Sequence, residues 1–497
     1  MKFNYKIIIH FIGLLLLCNG VFMSLSAIIS FFYNDDVVNQ LFLSGAITLA
    51  LGFIMMFFTR HHKKEINKRE GYIVVALGWF MMSLSGTLPY MIATHGVFSF
   101  TNAFFETVSG YTTTGATVLA DIEAMPKGIL FWRSLTHWIG GMGIIVLAVA
   151  ILPLLGIGGM QLFAAEAPGP SADKLHPRIK DTAKRLWHIY FAYTMLQTLL
   201  LKLAGMSFFD AINHALCTLS TGGFSTKNQS VAYWNDTPII QYIIIVFMFL
   251  AGTNFVLSYF AFKGKVQKII RDDEFKLYSR FIIVFTVIAS VVVYFSSKES
   301  SSISHPMVWG ELESAIRHVL FQVLAIITTT GFVTADYTLW HPFLVVFFFG
   351  LMFLGGSSGS TSGGVKVVRH LILIKNGFLE FKRALHPNAI IPVRYNNRAI
   401  SENIVFNILA FFILYMLAFI IGALGFSALG ITFESAIGLA ASTLGNVGPA
   451  LGDFGPVNNY QSLPDLGKCW ASLLMLIGRL ELFTVLVLFT PFFWRNR

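Results

Sequence analysis

The chain is 497 residues long, 55% hydrophobic, 15% aromatic and only 12% charged, which is far from a soluble average and leaves no room for a large water-soluble domain. A formal charge of +10 would suggest nucleic acid in a soluble protein. Here the basic residues sit in short loops between apolar runs, so the environment they imply is a lipid bilayer and not nucleic acid.

Crossing about 30 Å of hydrocarbon takes roughly 20 helical residues. Apolar runs of that order are expected at 7–32, 38–59, 71–94, 131–155, 185–206, 237–262, 279–296, 341–370, 401–426 and 468–491, ten spanning helices in an all-α polytopic membrane protein. The first contains "LLLLCNG", but Leu17 stands where a lipoprotein carries a small residue and the apolar run continues too far for a cleaved signal, so it reads as a retained helix. Cys18, Cys217 and Cys469 are too scattered for a disulfide framework or metal site and read as packing residues. Basic segments occur at Lys2 and Lys6, 60–69, Lys174–Arg185, Lys263–Arg280, Lys366–Arg398, and Arg495 with Arg497. One topology places all of them in the cytoplasm, with both termini inside.

Four outer gaps are too long and too apolar for plain loops: "AFFETVSGYTTTGATVL" (103–119), "AINHALCTLSTGGFSTKN" (211–228), "VLFQVLAIITTTGFVTADY" (319–337) and "ESAIGLAASTLGNVGPALG" (434–452). Each reads as a short helix followed by a polar, glycine-containing turn. Taking Gly115, Gly222, Gly331 and Gly445 as equivalent, the turns recur at intervals of 107, 109 and 114 residues. Irregular backbone cannot face lipid and survives only where protein buries it or where it lines water. Four such turns are therefore expected to meet around one aqueous axis, as a pore.

A selective pore replaces part of an ion's hydration shell with a ring of oxygens, and glycine allows the left-handed angles that turn successive carbonyls inward. The candidate ligands are Thr113, Thr114 and Gly115; Ser220, Thr221 and Gly222; Thr329, Thr330 and Gly331; and Thr443, Leu444, Gly445 and Asn446. The short helices would direct their partially negative C-terminal ends at the centre, favouring a cation. Asp121, Glu123, Asp336 and Asp453 either concentrate cations at the outer mouth or are ordinary loop charges, with Lys127, Lys227 and Lys468 in the same region.

Ten consecutive small residues, Gly355, Gly356, Ser357, Ser358, Gly359, Ser360, Thr361, Ser362, Gly363 and Gly364, interrupt the apolar run from His341 to His370. Glycine costs about 1 kcal/mol relative to alanine in a helix, so the helix must break there, beneath the turns. A phosphate-binding loop is excluded because Val365 follows Gly364 and Lys366 comes one place late; a passive packing hinge is the competing reading. Arg479 lies deep in the last apolar run with Glu481 close behind. A charge at that depth is expensive and reads as a positive barrier lining the path, against the alternative of a structural ion pair with Glu481 or a helix end. The histidines lack metal-ligand spacing and no nucleophile–base pair suggests an enzyme. The 158–190 connection is amphipathic and fits either a lipid-interface element or a docking surface.

The four turns, the small-residue break, Arg479 and the stretch "HWIGGMGIIVLAVAILPLLGIGGMQLFAAEAPGP" (137–170) together resemble the Trk/Ktr/HKT superfamily of potassium transporters, and its bacterial TrkH branch in particular, over nearly the whole chain. The resemblance implies potassium uptake across a bacterial inner membrane by a homodimer with one pore per subunit, and a cytosolic TrkA-type nucleotide-binding partner docking on loops such as Lys366–Arg398. It also implies potassium as the transported ligand, no organic cofactor in this chain, an intramembrane gating loop at Gly355–Gly364 and a pore role for Arg479. The corresponding division is 1–70 for two extra N-terminal helices and a basic loop, then pore repeats at 71–184, 185–277, 278–400 and 401–497. None of the turns reads TVGYG, and Leu444 and Asn446 make the four walls unequal, so selectivity is expected to be moderate. The alternative, a secondary transporter of another solute, expects inverted repeats with broken helices at the midplane, whereas these repeats are parallel.

Overall fold

The computed structural model describes residues 4–60, 67–93, 98–143, 179–296 and 308–495. The described residues are predominantly helical. The one sheet among the described residues is a hairpin, β1 (Arg394–Tyr395) antiparallel to β2 (Arg398–Ala399).

Two long apolar helices, α1 (Tyr5–Phe32) and α2 (Val38–Thr59), form the N-terminal pair. Lipid tails are as apolar as the side chains, so hydrophobicity alone does not drive two such helices together; close backbone approach does. Glycines provide it. A Cβ on Gly52 would lie 2.7 Å from the Gly13 carbonyl oxygen, and one on Gly45 would lie 3.2 Å from that of Gly20. Phe42, Phe53 and Phe58 point away from this seam and are exposed, as lipid-facing side chains would be.

Four similar units follow. The first holds α3 (Lys68–Gly86), α4 (Leu88–Ala93), the short buried α5 (Phe100–Tyr111) and α6 (Lys127–Trp138), which ends in a π-helical turn at Ile139–Gly143. The second holds α7 (Ile179–Leu203), the short α8 (Phe208–Leu219), α9 (Pro238–Ala251), α10 (Phe255–Phe262) and the connecting α11 (Val266–Arg271). The third holds α12 (Asp273–Ser296), the short α13 (Glu311–Ile327), α14 (Pro342–Leu351) and α15 (Val367–Leu385), and the fourth α16 (Glu402–Ala428), the short α17 (Phe433–Gly445), α18 (Asp465–Arg479) and α19 (Leu482–Leu486). Ser99 and Ser207 begin two of the short helices by accepting from the backbone N–H three residues on, at 3.2 and 3.0 Å.

Among the described residues, five helices are long and apolar enough to cross a membrane unbroken, and two further spans are bent pairs. The uninterrupted helices expected at 237–262 and 468–491 are in fact bent, by 107° between α9 and α10 and by 113° after Arg479. The first bend follows from local chemistry. Asn254 caps α10 by accepting from the Val256 N–H at 2.8 Å, and a Cβ on Gly252 would stand 2.4 Å from the Tyr278 hydroxyl. The second falls at Glu481, held at φ 55. The helix expected at 131–155 is described only to Gly143, and the 158–190 connection lies outside the described residues up to 178. Cys469, expected to pack inside, is exposed, whereas Cys217 is buried.

The α1/α2 seam yields a test. Gly52→Leu overpacks it and is expected to destabilise the protein by about 1–3 kcal/mol, read as a lower thermal unfolding midpoint in detergent. Leu51→Ala, on the 46% exposed outer face, leaves the midpoint near wild type. Equal midpoints for the two variants would contradict the close approach.

Candidate functional site

The short helices α5, α8, α13 and α17 end identically. The N–H groups of Thr113, Thr221, Thr329 and Asn446 donate to the carbonyls of Gly110, Thr218, Ile326 and Thr443, while those of Thr114, Gly222, Thr330 and Val447 donate to Ser109, Cys217, Ala325 and Ser442. This double bond pattern is the Schellman ending, whose turn residue takes left-handed angles and is usually glycine. Here it is Thr113 (φ 52), Thr221 (φ 54), Thr329 (φ 54) and Asn446 (φ 55). A β-branched residue in that region is strained by about 1–3 kcal/mol and persists only where its surroundings over-determine it.

Two residues beyond each strained position lies a positive-φ glycine: Gly115 (83°), Gly223 (84°), Gly331 (74°) and Gly448 (100°). These four close a ring. A Cβ on Gly115 would lie 2.2 Å from the Gly222 carbonyl oxygen, on Gly223 2.0 Å from that of Thr330, on Gly331 2.2 Å from that of Val447, and on Gly448 2.5 Å from that of Thr114. Unit one touches two, two touches three, three touches four and four returns to one. The turns therefore share one axis, with their backbones in contact and no space for any side chain between them.

The geometry also corrects the register read from the sequence. The counterparts of Gly115 and Gly331 are Gly223 and Gly448, not Gly222 and Gly445, and the spacings become 108, 108 and 117 residues. Gly222 contributes its carbonyl to the ring. Thr443, Leu444 and Gly445 belong to the last turn of α17, and the fourth turn proper is Asn446–Gly448.

Behind the ring lie residues that the sequence reading passed over. Arg133 Nε donates to Glu106 at 2.6 Å, and both side chains are almost fully buried. Glu106 also accepts from the Thr117 hydroxyl at 2.9 Å and the Val118 N–H at 3.0 Å, and Arg133 donates to the Ser225 carbonyl at 2.9 Å. One buried ion pair thus fastens the chain leaving turn one to the chain leaving turn two. On the inner side, the Asn446 amide donates to the Thr114 hydroxyl and to the Met475 carbonyl, each at 3.0 Å.

The second helix of each unit is irregular where it meets the ring: α6 turns π-helical at Ile139–Gly143, and the other three are bent or broken. A Cβ on Gly141 would stand 2.7 Å from Ser220, on Gly252 2.6 Å from the Thr328 methyl, and on Gly363 2.8 Å from the Gly445 carbonyl oxygen. Each contact joins one unit to the next. Gly140 and Gly478 make the matching contact within their own units, with Cβ positions 1.9 and 2.0 Å from the Tyr111 and Leu444 oxygens. Arg479 follows Gly478 as Gly141 follows Gly140, so unit four carries an arginine where unit one has a glycine. Its guanidinium donates to the carbonyls of Gly140 (2.7 Å), Gly141 (3.0 Å) and Thr361 (2.8 Å), while Glu481 pairs with Arg369.

Segment 355–364 is a packed loop rather than a loose hinge. The Thr361 hydroxyl donates to the Leu219 carbonyl at 2.9 Å, the Gly363 N–H to the Thr329 hydroxyl at 2.7 Å, and the Ser357 N–H to the Gly252 carbonyl at 2.8 Å. With Arg479 it closes the space under the ring to a cavity of about 60 Å³ lined by Trp79, Gly140, Gly363, Lys366, Arg479 and Glu481.

The acidic residues expected at the outer mouth have local partners. Glu123 pairs with Lys227 at 3.1 Å, Asp336 caps a short turn by accepting from the Thr338 N–H, and Asp453 accepts from the Ser435 hydroxyl. The Asn228 amide, donating to Asp121, holds that carboxyl below its ordinary range. No metal-holding group of His, Cys, Asp and Glu occurs among the described residues. The corrected register has a direct consequence: Gly448→Ala, at φ 100 against the Thr114 carbonyl, is expected to lower stability by about 1–3 kcal/mol, whereas Gly445→Ala, whose Cβ would be 3.0 Å from its nearest atom, costs clearly less. Thermal midpoints in detergent in the reverse order would contradict the assignment.

Comparison with known proteins agrees with this architecture. The TrkH family, described as "Cation transport protein", matches residues 38–496. The chain is 40% identical over 495 residues to the Trk system potassium uptake proteins TrkH of Salmonella typhimurium strain LT2 and Escherichia coli strain K12, covering 99% of this chain and 100% of each relative. It is also similar to the crystal structure of the potassium transporter TrkH from Vibrio parahaemolyticus, with a TM-score of 0.87, 37% identity, and coverage of 99% of this chain and 100% of that one. A family description reaching to residue 496 and full-length relatives leave one conclusion: the chain belongs to the TrkH family of cation transport proteins.

Proposed function

We propose that this chain takes up potassium across a bacterial inner membrane, conducting the ion through the ring of four turns as the translocating subunit of a Trk-type system. The observation that carries the reading is the cyclic contact of the turns. Carbonyl oxygens at Thr114, Gly222, Thr330 and Val447 occupy equivalent places around one axis and are of the chemical type that replaces an ion's water. Four buried helices end at the ring, and their C-terminal partial charges favour a cation. The relatives' names as potassium uptake proteins support potassium as the ion. With one glycine step per wall and unequal neighbours, Thr114, Gly222, Thr330 and Val447, selectivity over sodium is moderate.

Below the ring, the 355–364 loop is the gate and Arg479 a positive barrier beside it. The arginine replaces a glycine of unit one and reaches three carbonyls on two other units, so it both charges the path and ties the loop down. Both termini lie in the cytoplasm, as the alternating basic loops require. The subunit works as a homodimer, and a cytosolic TrkA-type nucleotide-binding partner docks on Lys366–Arg398. That segment bares Phe378, Phe381, Leu385 and Ile390 among basic side chains, an apolar surface that calls for cover.

Rubidium flux into liposomes holding the purified chain tests the reading: uptake that potassium competes away is expected, and its absence would refute it. Arg479→Ala should raise that flux by about tenfold, equivalent to a barrier lower by about 1.4 kcal/mol. Arg479→Lys, which keeps the charge and loses the guanidinium fork, should fall between; unchanged flux in both would remove Arg479 from the path. Gly115→Ser puts a side chain 2.2 Å from the Gly222 carbonyl oxygen and is expected to lower the ratio of rubidium to sodium flux.

A further inference from the structure

Glu274, in the first turn of α12, is 2% exposed. It is not part of the ring, the cavity lining or the Arg479 contacts. Its Oε1 accepts from two backbone N–H groups, Ser358 at 2.6 Å and Val368 at 3.1 Å. Ser358 lies within the 355–364 loop, and Val368 lies in the first turn of α15, immediately after it. A single buried carboxyl oxygen therefore holds the loop from both sides. At Val368 this acceptor also meets the positive end of a helix.

The two residues before Glu274 are engaged elsewhere. Asp272 caps α12 by accepting from the Phe275 N–H at 2.8 Å, which makes 272–275 a stiff unit. The tip of the β1–β2 hairpin plugs into this unit through Asn396. Its side-chain oxygen accepts from the Asp273 N–H at 2.8 Å, its own N–H donates to Asp273 Oδ2 at 3.1 Å, and its amide donates to Asp272 Oδ2 at 2.9 Å. Lys375 of α15 closes the circuit by donating to Asp273 Oδ2 at 2.7 Å and to the Arg394 carbonyl at 3.0 Å. The hairpin is built to keep its shape: Asn396 and Asn397 take φ 48 and 63, the paired left-handed angles of a tight hairpin turn that asparagine tolerates. At its base Val393 packs in one apolar cluster with Val368. Arg394 and Arg398 are exposed.

We infer that Glu274 is a positioning residue that holds the 355–364 loop across the path, and that the 394–399 hairpin is the lever that moves it. The link is three bonds at Asn396, one stiff turn and two bonds from Glu274. A load on the hairpin displaces the 272–275 turn and withdraws the acceptor from both sides of the loop at once. The arginines make the hairpin a handle for an acidic surface on the cytosolic partner. This rests on the proposed conduction, since it assigns the control of that same gate.

Rubidium flux through the full chain in liposomes, with monodispersity and thermal midpoint measured in parallel, is the test. Glu274→Ala should raise maximal flux several-fold without changing the half-saturating rubidium concentration or the rubidium-to-sodium ratio, because the loop is released and the ring is untouched. Glu274→Gln keeps an acceptor oxygen and should recover most of the closed behaviour, a rescue that a purely structural role would not predict. Asn396→Ala, outside the buried core, should also raise flux and does not depend on how well the Glu274 variants fold. In the double variant the two increases should not multiply, since both act through one contact chain. Wild-type flux in a well-folded Asn396→Ala, a selectivity change in Glu274→Ala, or multiplied increases in the double variant would overturn the inference. A wild-type chain with no rubidium flux would be a different failure, that of the conduction reading itself.

Discussion

Everything in the molecule depends on four backbone turns touching without side chains between them. Each closing glycine sits so near the next turn's carbonyl that a single carbon would collide with it. The constraint is mutual, because removing space at one wall displaces the oxygen that defines its neighbour. Strain at Thr113, Thr221 and Thr329 fits the same demand: the left-handed angle is imposed by the helix ending and the ring together, although a β-branched residue resists it.

Small residues spread outward from that constraint. Gly141, Gly252 and Gly363 let the second helix of one unit lie against the turn of the next, and those helices turn π-helical, bend or break at that level. The breaks free backbone carbonyls. Arg479 donates to those of Gly140 and Gly141 and Thr361 to that of Ala251, and the packed 355–364 loop lies against the ring. The 355–364 loop and the ring are thus joined by direct hydrogen bonds, including one from Gly363 to Thr329, a strained member of the ring.

Much of this was legible in the sequence, and the misreadings have physical causes. Turns one and three read "TTTG", so their glycines could be matched by eye. Turn two offers two adjacent glycines and turn four three within eight residues, and only the backbone angles decide that Gly223 and Gly448 are the closing ones. Ten small residues at 355–364 announced a break that hydropathy alone would have missed. The bend at 252–254 carried a weaker signal, a glycine two residues before an asparagine cap, and the bend at Glu481 carried none. Glu106 stood in plain view seven residues before Thr113, but its partner Arg133 lies 27 residues on, and buried pairing is a tertiary fact. That Arg479 occupies the place of Gly141 depends on knowing which turn each helix touches.

The central claim is that carbonyl oxygens of four equivalent turns hold the transported ion on one axis. Diffraction from crystals grown in rubidium or thallium salts, recorded at the metal's absorption edge, tests it most directly. The account predicts anomalous density on the axis, ringed by the oxygens of Thr114, Gly222, Thr330 and Val447. Strong anomalous density elsewhere in the protein with an empty ring would contradict it.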